Sequence, residues 1–197
     1  MPMRKSKARV SKTRTVHTYA ELWHGSRVLL ERAEAEAKGS FWVRMSSLLL
    51  TAFTLEAYLN HIGPKLFTSW TTLKVLPPLG KLDVVCEKLN LSFPAKQRPR
   101  QTIDELFRFR NLLAHGKTVT ITEPDQLKDI DAYLDEFLGQ KPLTAWEKLF
   151  SNSAYAKRAR EDVEKVIRAI HEAANPKNDP VFFFGLGSHS ARLEPDS

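Results

Sequence analysis

Residues 102–116 read TIDELFRFRNLLAHG, and this stretch has the pattern of an amphipathic helix with a defined start and end. Thr102 and Glu105 stand at the spacing of a capping box, and Gly116 is the kind of residue that follows a helix C-terminus. The apolar residues between them recur at helical spacing: Ile103, Leu106, Phe107, Phe109, Leu113 and Ala114. We therefore predict a helix that opens at this capping box and ends at His115.

Helical spacing of apolar residues continues along most of the chain. It predicts five further helices, over residues 18–38, 40–62, 79–89, 122–138 and 154–174. A capping box from Thr18 to Glu21 is expected to open the first, and Gly63-Pro64 to end the second. Since no alternating strand pattern, internal repeat or glycine-rich phosphate loop occurs, residues 17–175 are predicted to form an all-α bundle of about six helices.

Residues 1–16 differ from the rest of the chain in charge. They contain six Lys or Arg residues and no acidic residue, so only +1 of the net charge of +7 belongs to the remainder. So short a basic run predicts a disordered, solubilising leader. A flexible arm that contacts the phosphates of a polyanion is the alternative.

Residues 176–197 are predicted to form an irregular C-terminal tail, because prolines and glycines recur along them. These interrupting residues are Pro176, Pro180, Gly185, Gly187 and Pro195. The stretch Val181–Phe184 is unusually apolar for a tail, and we expect it to pack onto the bundle or onto a neighbouring subunit.

The composition excludes several classes of protein. The single cysteine, Cys86, permits no intrachain disulfide, and no Cys/His spacing is that of a zinc site. No apolar segment of a signal peptide follows the basic N-terminus, and the most apolar run, Met45–Leu55, is too short to cross a bilayer. We expect a cytoplasmic protein with no membrane partner, metal or cofactor.

Two charged residues interrupt the apolar faces of predicted helices. Arg110 falls in the middle of the apolar face of the 102–115 helix, and Glu56 lies on the buried side of the 40–62 helix. The buried face of that second helix comprises Phe41, Met45, Leu48, Leu49, Ala52, Leu55 and Leu59, and the opposite face comprises Arg44, Ser47, Thr51 and Thr54. Because an unpaired buried charge costs several kcal/mol, Glu56 and Arg110 should pair across a helix–helix contact. A pair that only fixes helix orientation is the alternative interpretation.

Arg110 and His115 are about 140° apart on an ideal helix. His115 shares the opposite face with three polar residues, Asp104, Arg108 and Asn111. Arg110 and His115 could serve one site if the helix loosens at its end, which Gly116 favours by adopting a left-handed cap. They could also do so if the long side chain of Arg110 reaches around the helix.

The six residues from Arg110 to His115 resemble the Arg-x4-His motif of the HEPN domain family (higher eukaryotes and prokaryotes nucleotide-binding). In that motif a polar residue follows the arginine, as Asn111 does here. The family contains metal-independent endoribonucleases, many of them toxins or defence effectors, and also inactive members that only bind or dimerise.

A second part of the resemblance lies in an earlier predicted helix. Residues 55–60 read LEAYLN and look like the Glu-Ala-x-x-Asn turn often found there in HEPN domains, with Glu56 and Asn60 at its ends. The resemblance covers roughly residues 18 to 174, and it implies an all-α domain.

The residues of the motif suit RNA cleavage chemically. RNA can be cut by its own 2′-OH when a base takes the hydroxyl proton and a cation stabilises the phosphorane. His115 is the natural acid or base, because histidine titrates near neutrality, and Arg110 or Arg108 can hold phosphate oxygens bidentately. The predicted site has Arg110 and His115 as catalytic residues, no metal, and four supporting residues: Asn111, Glu56, Asn60 and Arg108.

One motif histidine is too few for separate acid and base roles. A homodimer that apposes two motifs supplies the second, as in the family's active members. We therefore expect a HEPN-type endoribonuclease that acts on single-stranded RNA in a toxin–antitoxin, defence or RNA-processing role, with an antitoxin or other protein as a partner. The alternative is a non-catalytic HEPN-like dimeric module that binds nucleic acid, a nucleotide or a partner protein.

Overall fold

The computed structural model describes residues 8–122, 130, 142–174, 180–185 and 187–193. These residues contain seven helices: α1 Thr18–Ala35, α2 Ser40–Leu66, α3 Trp70–Leu73, α4 Pro78–Lys88, α5 Arg100–Ala114, α6 Ala145–Leu149 and α7 Ala154–Ala174. They also contain two strands, β1 Ala8–Arg14 and β2 Gly187–Leu193. The predicted all-α bundle is confirmed. The helix predicted over residues 122–138 falls almost entirely outside the described residues.

Helix α2 is the centre of the bundle, and α1, α4, α5 and α7 all pack against it. Its predicted apolar face contributes Leu48, Ala52, Leu55 and Leu59 to the core. Helix α7 begins and ends as predicted and buries Val163, Val166, Ile167 and Ile170. Among the described helices, none combines the length and the hydropathy that crossing a lipid bilayer requires.

The face of α2 that was expected to lie opposite the core is also buried. Ser47, Thr51 and Thr54 are fully inaccessible, because α1 packs over this side of the helix. Their hydroxyls need no water: Ser47 donates to the Ser26 carbonyl of α1 at 2.7 Å, and Thr51 donates to the Ser47 carbonyl at 2.8 Å. Small hydroxyl residues that bond to backbone carbonyls therefore serve as core residues here.

Arg44, on the same face of α2, is half-buried. Its Nε donates to the Phe150 carbonyl at 2.7 Å, and its Nη2 donates to the Ser151 carbonyl at 3.0 Å. These bonds fasten the end of α6 to the start of α2, so the role of Arg44 is structural.

The prediction that α2 ends before Gly63-Pro64 is wrong, since the helix continues to Leu66. Pro64 lies in the last turn, where its missing N–H removes one helical hydrogen bond, and the Phe67 N–H still donates to the Gly63 carbonyl at 2.9 Å. Gly63 serves helix packing, because a Cβ there would come within 2.3 Å of the Trp70 ring.

The capping box predicted at the start of α1 does not form. His17 is the N-cap residue and makes no side-chain cap bond, while Thr18 is already helical. Glu21 instead accepts a hydrogen bond from Arg14 of β1 at 2.7 Å. The carboxylate that a capping box requires is therefore part of an ion pair between β1 and α1.

The capping box predicted for α5 is also absent. The helix begins two residues earlier, at Arg100, and Thr102 is buried inside it. A capping box does occur at Thr144 and Glu147, where it opens α6, a helix that the sequence pattern did not reveal.

Parts of both predicted tails form regular structure, which corrects the expectations of a disordered leader and an irregular tail. Strand β1 pairs antiparallel with β2 in a register that runs from Ala8 opposite Leu193 to Arg14 opposite Gly187. Hydrophobic alternation could not reveal these strands, because residues 9–14 and 187–192, which include both faces of the pair, are exposed. Gly185 precedes β2 with φ at 87°, and a Cβ there would clash with the Thr15 carbonyl oxygen.

The apolar segment Val181–Phe184 packs onto the bundle, as one of the two predictions for it stated. The Phe182 ring stacks on Trp23 with centroids 4.7 Å apart, and Phe184 meets His24 edge-on at 5.5 Å. This contact brings the chain back beside α1 before it enters β2.

Candidate functional site

The second half of α5 carries the motif, and its position follows from the apolar face of the helix. Ile103, Leu106, Phe107 and Phe109 are buried and fix α5 against the core. Arg110 comes next and is only 21% exposed, and Glu56 of α2 is 24% exposed. Arg110 Nη2 donates to Glu56 Oε2 at 2.6 Å, so the predicted ion pair between α5 and α2 is confirmed.

Two further contacts orient the guanidinium of Arg110. Its Nη1 donates to the Asn111 side-chain oxygen at 2.8 Å, and its Cζ lies 5.6 Å from the centroid of the Phe53 ring. A guanidinium has five N–H donors, and the bonds to Glu56 and Asn111 use two of them. Arg110 is therefore held in one orientation and keeps donors for another acceptor.

A third charged residue, which we did not predict, completes this cluster. Lys81 of α4 has a side chain only 6% exposed, and its Nζ lies 3.9 Å from Glu56 Oε1. We call Glu56, Lys81 and Arg110 the Glu56 triad. With all three ionised it carries one net positive charge.

The signal for Lys81 was present in the sequence. Leu82, Val85 and Cys86 form the predicted inward face of α4, and Lys81 lies on that face one turn before Val85. It interrupts an apolar stripe in the same way as Arg110 and needs an anionic partner for the same reason.

His115 ends α5 as its C-cap residue, and its N–H donates to the Asn111 carbonyl at 2.9 Å. The ring is exposed and makes no hydrogen bond to any described residue. It lines an open groove of about 520 Å³. The apolar walls of this groove, the His115 groove, include Leu112, Leu113, Val119, Ala145 and Trp146.

Arg110 and His115 line different grooves. The groove at Arg110 has a volume of about 430 Å³ and is lined by Leu49, Phe53, Leu113 and Ala114. Leu113 lines both grooves. Since α5 remains helical through Ala114 and Arg110 is turned towards Glu56, neither proposed route brings Arg110 and His115 into one site within one chain.

Gly116 does not adopt the left-handed cap expected of it, since the glycines with positive φ among the described residues are Gly39 and Gly185. A Cβ at Gly116 would instead lie 2.9 Å from the Leu112 carbonyl oxygen. Close approach of the backbone therefore explains this glycine, and the chain leaves α5 without a left-handed turn.

The two remaining predicted site residues lie outside the triad. Arg108 is exposed and borders a separate cleft together with Asp104 and Glu105. Asn60 is exposed one helical turn after Glu56. The structure thus brings together Glu56, Arg110 and Asn111, and it leaves His115, Arg108 and Asn60 apart from them.

The described residues hold no group of three or more His, Cys, Asp or Glu side chains arranged to bind a metal ion. Burial raises the pKa of Cys86 to about 11, and the nearby Asp83 adds to this effect. The thiol therefore remains protonated at neutral pH and is not a nucleophile.

Among the described residues, two other ion-pair clusters, centred on Arg98 and Arg100, differ from the Glu56 triad in having no excess cation. Asp162 is almost fully buried and accepts two hydrogen bonds from Arg98, at 2.8 and 3.0 Å, while Glu161 also contacts that arginine. Arg100 bridges Asp83 and Asp104. Each of these arginines contacts two acidic side chains, which suits a role in orienting helices, whereas the triad has two cations for one carboxylate.

The functional interpretation rests on these contacts and on the motif residues. The chain matches no model of a known protein family, no curated protein and no solved structure. Function is therefore inferred from the Glu56 triad and the His115 groove.

Proposed function

We propose that the protein is a metal-independent endoribonuclease of HEPN type that works as a homodimer on single-stranded RNA, in a toxin, defence or RNA-processing role. One observation carries the proposal. The 2.6 Å bond from Arg110 to Glu56 fixes a partly exposed guanidinium about one and a half helical turns before His115. A phosphate-binding cation and an exposed imidazole are the two groups that RNA self-cleavage requires.

In the proposed reaction the RNA supplies its own nucleophile. The 2′-oxygen forms a bond to the adjacent phosphorus, and the bond from phosphorus to the 5′-oxygen of the next nucleotide breaks. One imidazole accepts the proton of the 2′-OH, and a second imidazolium donates a proton to the departing 5′-oxygen. The products are a 2′,3′-cyclic phosphate and a 5′-hydroxyl, and no redox step occurs.

Arg110 binds the non-bridging phosphate oxygens and stabilises the charge that grows on them in the transition state. Before the ligand binds, Glu56 and Asn111 position the guanidinium through the bonds at 2.6 and 2.8 Å. His115 transfers protons, and its exposed ring at the end of α5 is open to a ligand.

The homodimer follows from the separation of the two motif residues. Because Arg110 and His115 line different grooves in one chain, a second copy would bring an imidazole to the phosphate held by Arg110. Several large apolar side chains are also exposed on α2, on α5 and beside the His115 groove: Trp42, Phe53, Leu112 and Val119. A dimer that joins these surfaces removes them from water.

A non-catalytic module that binds a partner protein is the second candidate. The apolar walls of the His115 groove favour it, because Leu112 is 47% exposed and Val119 is 66% exposed. An apolar groove of this kind suits a side chain of a partner protein better than a nucleotide phosphate.

The test is cleavage of single-stranded RNA by purified protein in EDTA. We expect products that end in 2′,3′-cyclic phosphate and 5′-hydroxyl, and we expect DNA of the same sequence to survive because it lacks the 2′-OH. A strict requirement for magnesium contradicts the proposed chemistry. A confirmed dimer that cleaves no RNA supports the binding module.

A further inference from the structure

Lys81 is the most deeply buried lysine described in the chain, and its contact with Glu56 is not a hydrogen bond. Its side chain is 6% exposed, and its Nζ lies 3.9 Å from Glu56 Oε1. Glu56 bonds much more closely to Arg110, at 2.6 Å through its other oxygen. Lysine is almost never fully buried without a partner, so this partly satisfied ammonium requires an explanation.

The ratio of two cations to one carboxylate in the Glu56 triad explains why Lys81 is buried there. Without Lys81, Glu56 and Arg110 form a neutral pair, and moving Arg110 to a ligand leaves a largely buried carboxylate unpaired. With Lys81 present, Glu56 keeps a cation when Arg110 moves away. One of the two cations is therefore available to an anionic ligand at little electrostatic cost.

The positions of the two cations indicate which one is exchanged. Arg110 is more exposed than Lys81, at 21% against 6%, and Arg110 borders the groove formed by Leu49, Phe53 and Leu113. Lys81 approaches Glu56 from α4 and does not line that groove. A ligand in the groove thus meets the guanidinium and not the ammonium.

We propose that Lys81 is a positioning residue. It holds the carboxylate of Glu56 in place while Arg110 releases that carboxylate and binds a phosphate group of the ligand. Identifying that ligand as RNA rests on the proposed function, whereas the binding of phosphate by Arg110 does not. In the exchange, one N–H···O bond from Nη2 to Glu56 is replaced by bonds to phosphate oxygens, and Nζ moves closer to Glu56. No covalent bond changes.

The experiment is an NMR titration of the full chain with inorganic phosphate, at constant ionic strength, that follows the Nε–Hε signal of Arg110. Lys81→Met should weaken phosphate binding about tenfold, because it removes one unit of positive charge and leaves Arg110 as the remaining cation of the triad at Glu56. Lys81→Arg should bind within a factor of about three of the wild type. Lys88→Met, the same charge change at an exposed position on α4, is the matched control and should also bind nearly as the wild type.

A double variant separates positioning from direct binding. Glu56→Gln/Lys81→Met removes one charge of each sign and leaves Arg110 without its carboxylate, so phosphate affinity should return to about the wild-type value. If Lys81 itself binds phosphate, the double variant stays as weak as Lys81→Met, and our proposal is wrong. It is equally wrong if Lys81→Met binds phosphate as well as the wild type.

Two further measurements separate a change in phosphate binding from a loss of folding and from a loss of RNA cleavage. Amide spectra show whether each variant is folded, and Lys81→Gln replaces Lys81→Met as the neutral variant if the latter does not fold. Phosphate binding that follows the predicted order in a protein without RNA cleavage supports the role of Lys81 and counts against the nuclease. RNA cleavage by a protein whose phosphate affinity does not depend on Lys81 supports the nuclease and contradicts the role of Lys81.

Discussion

Arg110 and Glu56, 54 positions apart in the sequence, form a 2.6 Å hydrogen bond that joins α5 to α2. Both side chains are mostly buried, and Glu56 also faces the ammonium of Lys81. The stability of the bundle and the proposed chemistry therefore depend on the same carboxylate.

Glu56→Ala should lower the free energy of unfolding by about 3 kcal/mol, because it leaves the cations of Lys81 and Arg110 without their anion. Urea unfolding followed by circular dichroism measures this. Glu36→Ala, at an exposed residue after α1, is the control and should change stability by less than about 0.5 kcal/mol. A loss below about 1 kcal/mol for Glu56→Ala, roughly that of an exposed ion pair, would show that the triad contributes little to the fold.

His115→Ala should reduce the rate of RNA cleavage by about 10²–10⁴-fold, which is the usual contribution of a general acid or base. Since the ring is exposed and bonds to no described residue, the thermal unfolding midpoint should not change. His189→Ala, at an exposed position in β2, should leave the rate unaltered. Equal rates for His115→Ala and the wild type exclude His115 from the chemistry.

The proposed dimer predicts a mass of twice 22.5 kDa by light scattering at micromolar concentration. Leu112→Asp should produce monomers, because it places a charge on the apolar surface beside the His115 groove. Val75→Asp introduces the same negative charge at an exposed valine outside the two grooves, and it should leave the dimer intact. A monomeric wild type removes the source of the second imidazole.

Cys86 should make stability fall as the pH rises from 9 to 11. Burial raises the pKa of the thiol from 9.0 to about 11, so in this interval the unfolded chain loses a proton that the folded protein retains. Deprotonation thus favours the unfolded state. Urea unfolding at pH 8, 9.5 and 11 should show a smaller decline for Cys86→Ala than for the wild type. If the free energy of unfolding declines equally in Cys86→Ala and the wild type, the raised pKa of Cys86 is contradicted.

Two helical glycines should respond oppositely to alanine. Gly63→Ala should destabilise the protein by about 1–3 kcal/mol, because the new Cβ meets the Trp70 ring at 2.3 Å. Gly80→Ala should stabilise it by up to about 1 kcal/mol, because the nearest atoms lie at 3.5 Å and alanine favours a helix. Thermal unfolding of both variants tests the pair. Stabilisation in both variants would mean that Trp70 moves aside at little cost.

The pairing of Arg110 with Glu56 could be predicted because a charge in an apolar stripe requires a partner. The same reasoning applies to Lys81, which interrupts the apolar residues of α4. The burial of Ser47 and Thr51 could not be predicted from polarity, since their hydroxyls bond to backbone carbonyls and the residues then behave as small core groups.

Other features depend on information that periodicity does not contain. An ideal wheel gives the angle between Arg110 and His115, but it does not show that the two residues line different grooves. Strands β1 and β2 pair through their main chains, and their exposed side chains carry no alternation that marks them. Gly63-Pro64 has the pattern of a helix end, yet the helix continues to Leu66 and Gly63 packs closely against the Trp70 ring.

The register of β1 and β2 determines how the protein responds to mechanical force. Ala8 pairs with Leu193 at one end of the ribbon, and Arg14 pairs with Gly187 at the end beside the bundle. A pull that separates Ala8 from Leu193 acts across the strands and loads their hydrogen bonds one pair at a time. The ribbon should therefore unzip at low force, and tension should reach the helices only after the pair of Arg14 and Gly187 has opened.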